Sequence, residues 1–366
     1  MRETRQIRLS RPIVVLGLAF LATFAFACSD ENPGTTSSTS GSGGKGGTGG
    51  TGGGEGGAGG GTGGTGGTGG QSAGVKSAAN GKEFSRPFDA TPDPKGVDVY
   101  FTGLDPQGEA AIFRAKLDGS APAAVLFAGD PLVTPLNLAT STDGLTVFIT
   151  DTGADTGANN GDAGRIFKMP NDGGTPTAFP GADRYRPRGI EVVSENGKDM
   201  IYFAGTEPGG AAGIFKMTAD GGGAVLTVKT GSPFVDPSGL VVTAAGDVYA
   251  CDTTQEDGLD SLISVTSAGV ATVVATGIHA GYPCGVSSTF DDKQILVSSL
   301  DASAGTSTVT VVDVASKAIT FLSMGINMNT ESGGLHRAKD MGNVFAWAAA
   351  TGGMGSTGTV YRVELQ

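Results

Sequence analysis

Pro187-Arg188-Gly189, then Ile201-Tyr202-Phe203, then Ile214-Phe215-Lys216, then Ala219-Asp220-Gly221: this ordered set decides the fold, because the chain repeats it. Other copies open at Pro87-Phe88-Asp89, Pro135-Leu136-Asn137, Pro237-Ser238-Gly239 and Pro283-Cys284-Gly285, with a worn sixth at Ser332-Gly333-Gly334. An apolar run follows each opening, from Val99-Tyr100-Phe101 in the first copy to Val344-Phe345-Ala346 in the last. A further run follows that, such as Ile112-Phe113-Arg114, Ile166-Phe167-Lys168 and Val360-Tyr361-Arg362. Short strands recurring at a fixed period of about fifty residues predict an all-β, six-bladed β-propeller with four-stranded blades.

The strands and turns agree with that reading. Leu145-Thr146-Val147-Phe148-Ile149-Thr150 is apolar on both alternating faces, as a strand sandwiched between neighbouring sheets requires. The third and fourth strands of four copies are joined at Asp118-Gly119, Asp172-Gly173, Asp220-Gly221 and Ala268-Gly269, where glycine supplies the positive φ of a tight hairpin. The last copy stops at its third strand, Val360 to Leu365. An open sheet edge invites aggregation, so the segment from Val75 to Phe84 is expected to supply the missing fourth strand.

Residues 1–27 read as a signal peptide: Arg2, Arg5, Arg8 and Arg11 precede an apolar core from Pro12 to Phe26 that is short for a membrane span. Ala25-Phe26-Ala27-Cys28 resembles the lipobox of bacterial lipoproteins, which implies lipidation at Cys28 and anchoring in the cell envelope. Ser29, rather than Asp, follows Cys28, which points to the outer membrane. An ordinary secretory signal beside an incidental cysteine is the alternative. Residues 28–74 are mostly Gly, Ser and Thr, too poor in apolar surface to fold, and predict a disordered tether for a head spanning 75–366.

The chain of 366 residues carries a formal charge of −12; four Arg and one Glu lie in residues 1–27, a net +3, which leaves the rest at −15. So acidic a surface argues against nucleic acid as a partner. Beyond Cys28 the chain has Cys251 and Cys284, a candidate disulfide in an oxidising compartment, with two buried thiols as the alternative. The head is expected to be a monomer.

In this register the first strand of each blade lines a central channel. The openings and the connections before them supply Asp89, Asn137, Arg188 and Asp236 as candidate ligand-binding residues. Asp151 and Asp155, on the long loop of the second copy, join Asp89 and Asn137 as candidate oxygen ligands for Ca²⁺, although neither this loop nor the acidic loop of the fourth copy, with Asp252, Glu256, Asp257 and Asp260, has EF-hand spacing. The head's two histidines, His279 and His336, are the candidate general bases, because imidazole titrates near neutral pH. Arginines paired with nearby aspartates, and acidic loops that are simply solvated, are the competing structural readings. No G-x-S-x-G elbow, zinc-spaced His/Cys set, phosphate-binding loop or haem-attachment motif occurs.

The Pro-x-Gly opening, the apolar strand and the Ile-Phe-Lys strand together resemble six-bladed propellers of the NHL, TolB-like and gluconolactonase group. The resemblance covers roughly residues 80–366 and implies a fold more than a chemistry. The gluconolactonase branch holds a divalent metal through an acidic residue near the first strand of blade one and Asn and Asp from later blades, places that Asp89 and Asn137 would take. Two functions follow. One is a recognition module for a small polar ligand, a glycan or an envelope protein; the other is a metal-dependent hydrolase or lactonase. The repeats agree in their tight turns and diverge on the long-loop face, where a ligand is expected.

Overall fold

The structure, a computed structural model, describes residues 73–154, 164–254, 259–281, 283–301, 306–322, 332–350 and 358–365. The signal peptide, Cys28, most of the predicted tether and Asp155 lie outside the described residues. Every described element is a strand.

An outlying first strand, β1 (Ala73–Asn80), precedes blade one. Blade one contains β2 (Ala90–Pro92), β3 (Asp98–Leu104), β4 (Ala110–Lys116) and β5 (Ala124–Ala128). Blade two contains β6 (Pro135–Thr140), β7 (Thr146–Asp151), β8 (Arg165–Pro170) and β9 (Thr177–Ala178). Blade three contains β10 (Ile190–Glu195), β11 (Lys198–Thr206), β12 (Ala212–Thr218) and β13 (Leu226–Thr230). Blade four contains β14 (Pro237–Val242), β15 (Val248–Thr254), β16 (Leu259–Val265) and β17 (Ala271–Ile278). Blade five contains β18 (Val286–Ser288), β19 (Gln294–Asp301), β20 (Thr306–Asp313) and β21 (Ile319–Leu322). Blade six contains β22 (Ser332–Arg337), β23 (Val344–Ala350) and β24 (Gly358–Leu365).

Each blade is an antiparallel meander in sequence order, and β1 completes the sixth as its outer strand in the order β1-β24-β23-β22. The β1–β24 ladder runs from Ala73 opposite Leu365 to Asn80 opposite Thr359. The chain thus closes its ring as the missing fourth strand demanded, with pairing that starts two residues before Val75. The inner strands touch in rotation, β2 to β6, β10, β14, β18, β22 and back to β2. The glycines of the tight turns hold the positive φ that their position requires, 77° at Gly119 and 79° at Gly221.

The core is divided as the ring is. Each of the six blade interfaces owns a separate cluster of buried apolar residues. The seam between blades six and one contains Ala78 and Ala79 of β1, and Phe84 packs edge-on to Phe101 at 4.7 Å, while Phe101 stacks on Phe113 at 5.0 Å. The seam between blades four and five contains a disulfide joining Cys251 to Cys284, 33 residues apart in sequence. A cross-link closing a loop of that length constrains the unfolded chain by roughly 3–4 kcal/mol.

Because β1 covers the edge of β24 and adds to a buried seam, its removal has a defined consequence. A chain beginning at Glu83 should melt at least about 5 °C below one beginning at Ala73 and self-associate through the bared edge, as scanning calorimetry and light scattering would record. Equal melting temperatures and a monomeric truncated chain would contradict this closure.

Candidate functional site

The site grows out of how little space there is at the axis. Strand pairing makes Asp89, Asn137, Gly189, Gly239, Gly285 and Gly334 equivalent positions on the six inner strands. Where this position is glycine, the next strand leaves no room for a side chain. A Cβ on Gly189 would lie 1.7 Å from the Ser238 carbonyl oxygen, and one on Gly334 would lie 1.4 Å from Asp89 Oδ1. Blades one and two solve the same problem with short polar side chains. Leu138 N–H donates to Asp89 Oδ2 at 2.7 Å, and Ile190 N–H donates to Asn137 Oδ1 at 3.0 Å. The two residues expected to bind a ligand therefore clip one inner strand to the next.

Two residues further along each inner strand stand Thr91, Ala139, Glu191, Val241, Ser287 and His336. Glu191 and His336 are the charged members, on blades three and six, which face each other across a ring of six. They meet in the channel: His336 Nδ1 lies 3.7 Å from Glu191 Oε2, while Nε2 lies 3.2 Å from Asp89 Oδ1. The Nε2 contact lacks hydrogen-bond alignment and acts as an ion pair. Lys339, also from blade six, reaches across to Glu191 Oε1 at 2.8 Å and donates to the Val192 carbonyl. A buried ion cluster thus bridges the channel.

Electrostatics fix the protonation of this bridge. Burial by itself would strip His336 of its proton, but the Asp89 carboxylate and then Glu191 outweigh burial and raise its pKa to about 10. Burial likewise favours a neutral Glu191, yet Lys339 and His336 hold its carboxyl at about 2. His336 is an imidazolium at neutral pH and has no free lone pair to accept a proton. Both of its ring nitrogens are turned to carboxylates, Nδ1 to Glu191 and Nε2 to Asp89. His279 is exposed on the connection into blade five, where its carbonyl accepts Leu300 N–H at 2.7 Å.

The remaining candidates are held by structural partners. Arg188 and Asp236 pair with each other, Nη1 to Oδ2 at 2.6 Å. Asp151 accepts backbone N–H groups from Val133 at 2.7 Å, Thr134 at 2.9 Å and Gly153 at 3.0 Å, which fixes the connection into blade two. Asp252 does the same one pair of blades later, accepting from Val235 and Asp236. These residues do not fit a divalent cation. Asp89 Oδ1 is turned to His336 Nε2, Asn137 Oδ1 accepts a peptide N–H, and among the described residues no group of His, Cys, Asp and Glu side chains converges for metal binding. The expected Ca²⁺ set is not assembled by the residues that are described.

The described cavity opens at the other end of the channel from the long loops, where the inner strands leave for their tight turns. It holds about 400 Å³ and is lined by Glu191, Glu195, Phe290, Asp292, Arg337 and Lys339 among others. Glu191 and Lys339 of the ion bridge form part of its wall. The sequence reading missed Glu191, Arg337 and Lys339. The signal was present in the register, since a glutamate two residues after Pro187-Arg188-Gly189 falls where four other copies have Thr, Ala, Val or Ser and the sixth has His336.

No protein-family model and no curated protein sequence matches the chain. Solved structures do match it in shape. A protein of unknown function from Dyadobacter fermentans aligns with a TM-score of 0.56 at 11% identity, over 80% of this chain and 98% of that one. A gluconolactonase-like protein aligns with a TM-score of 0.54 at 13% identity, over 80% and 92%. A TolB-like protein from Agrobacterium tumefaciens aligns with a TM-score of 0.51 at 15% identity, over 77% and 91%. At these identities the likeness shows the fold, a six-bladed β-propeller with gluconolactonase-like and TolB-like neighbours.

The ion bridge makes stability depend on pH in a specific direction. A histidine raised from about 6.5 unfolded to about 10 folded stabilises fully below pH 6.5 and loses that stabilisation as pH rises through 10. Between pH 7 and 9 the folded state keeps one proton that the unfolded state lacks, which costs about 1.4 kcal/mol per pH unit. Urea unfolding of the intact head should show that decline. His336→Gln should be less stable at pH 7, because two buried carboxylates lose a cation, yet flatter from pH 7 to 9. Parallel pH profiles for the two proteins would contradict a charged His336.

Proposed function

We propose that the chain is a lipid-anchored cell-envelope protein whose propeller serves as a binding module and not as a hydrolase. The observation that carries this reading is the ion bridge. Both carboxylates and the buried histidine at the heart of the channel are already neutralised by one another, with neither a free base nor a free metal ligand among them. A cavity at the channel mouth with a mixed polar and apolar lining supports the reading, since that is the form a small polar ligand needs. The lipobox-like Ala25-Phe26-Ala27-Cys28 and the Gly-rich stretch after it support anchoring in the bacterial envelope, with the outer membrane preferred, and presentation of the head on a tether. A glycan or an envelope protein fits the same reading.

The test separates binding module from lactonase. Glucono-δ-lactone should not be turned over by the head in the presence of Ca²⁺ or Mn²⁺, and its melting temperature should be the same with Ca²⁺ and with chelator. Metal-dependent hydrolysis, or a melting temperature raised several degrees by Ca²⁺, would replace this reading with the hydrolase.

A further inference from the structure

Arg337 stands apart from the other charged groups on the cavity wall. Glu191 has Lys339 and His336, Glu195 has Lys216 at 2.9 Å and the Tyr202 hydroxyl, and Asp292 accepts Ser288 Oγ at 2.7 Å and Ala244 N–H at 2.7 Å. The carboxylates of the cavity are thus supplied with donors from the protein. Arg337 has no carboxylate within ion-pair distance among the described residues. Its guanidinium donates to backbone carbonyls alone: Nε to Ser288 at 3.0 Å, and Nη1 to Ala338, Lys339 and Gly342 at 3.3–3.4 Å. Nη2 keeps its two N–H donors. Burial lowers the Arg337 pKa, the mark of a cation taken out of water without a full counter-charge. The group is also held in place, its planar head lying 5.4 Å over the Phe290 ring, and Phe290 is itself 60% exposed at the rim.

A fixed guanidinium whose Nη2 is uncommitted among the described residues can donate a charge-assisted hydrogen bond to a carboxylate oxygen. A roughly 400 Å³ cavity is large enough for a six-carbon molecule, and the exposed Phe290 ring offers an apolar face beside the anchor. We infer that the cavity binds a small carboxylate-bearing ligand, with Arg337 holding the carboxylate and Phe290 covering the ligand's carbon skeleton. Lys339 adds positive potential to the lining, while Glu195 and Asp292, which also line the cavity, repel a second anionic group, so a monocarboxylate suits the cavity better than a polyanion. The inference rests on the binding-module reading and names the ligand class of its site.

Titration calorimetry on the intact head with D-glucuronate, D-glucose and inorganic phosphate tests it. Glucuronate and glucose differ at C6, carboxylate against hydroxymethyl, so glucuronate should bind at least about tenfold more tightly, and phosphate more weakly than glucuronate. Arg337→Gln should lose that preference. Phe290→Ala, at an exposed position that leaves the fold intact, should weaken glucuronate severalfold and leave the melting temperature of the free protein unchanged. Equal binding of glucuronate and glucose, no binding of glucuronate, or undiminished binding by both variants would overturn the inference. Lactone turnover with Arg337-dependent glucuronate binding would instead sink the binding-module reading and leave the carboxylate site standing.

Discussion

Six inner strands converge on one axis, and the gaps between them are too narrow for a Cβ. Much of the molecule follows from that steric limit. It accounts for glycine at four of the six equivalent positions, and for the two exceptions being residues short enough to turn their own oxygens onto the neighbouring peptide N–H. Asp89 thereby enters the ring as a strand clip. Having been brought there, its second oxygen supplies one of the two negative charges that keep His336 protonated. A packing constraint has become an electrostatic one.

The electrostatic consequence reaches the chemistry. Glu191 and His336 come from opposite blades, so their contact cannot be made by local structure and exists only when the ring is closed. Closure in turn depends on β1, the strand donated by residues far from β24 in sequence. Buried ion clusters contribute less to net stability than to uniqueness of arrangement, since desolvation offsets much of the attraction while loss of one partner is costly. Here the cluster links blades three and six across the axis.

The fold was legible in the sequence because propeller blades repeat, and a repeat reports its own register. The strand runs, the Asp-Gly turns and the need for an N-terminal closing strand could all be read from Pro187-Arg188-Gly189 and its copies. The site was less legible because it consists of departures from the repeat, and each departure has two physical explanations. Asp89 and Asn137 looked like ligands from their place at the first-strand openings and from the gluconolactonase resemblance, yet only coordinates reveal that each accepts a peptide N–H of the next blade. Arg188 and Asp236 are far apart in sequence and meet only across a blade seam. Arg337 follows a histidine in an inner strand, with no sequence mark that its partners are carbonyls. The long loops drew notice by their variety, and much of that face lies outside the described residues; a described cavity lies at the other end, lined by Glu191.

The central claim is that the channel is closed by a permanently protonated histidine. Nitrogen-15 chemical shifts of the His336 imidazole ring, followed from pH 5.5 to 8.5, test it directly. The account predicts that both nitrogens of His336 stay protonated throughout. A His336 ring that passes to a single neutral tautomer with a midpoint near 6.5 would contradict it.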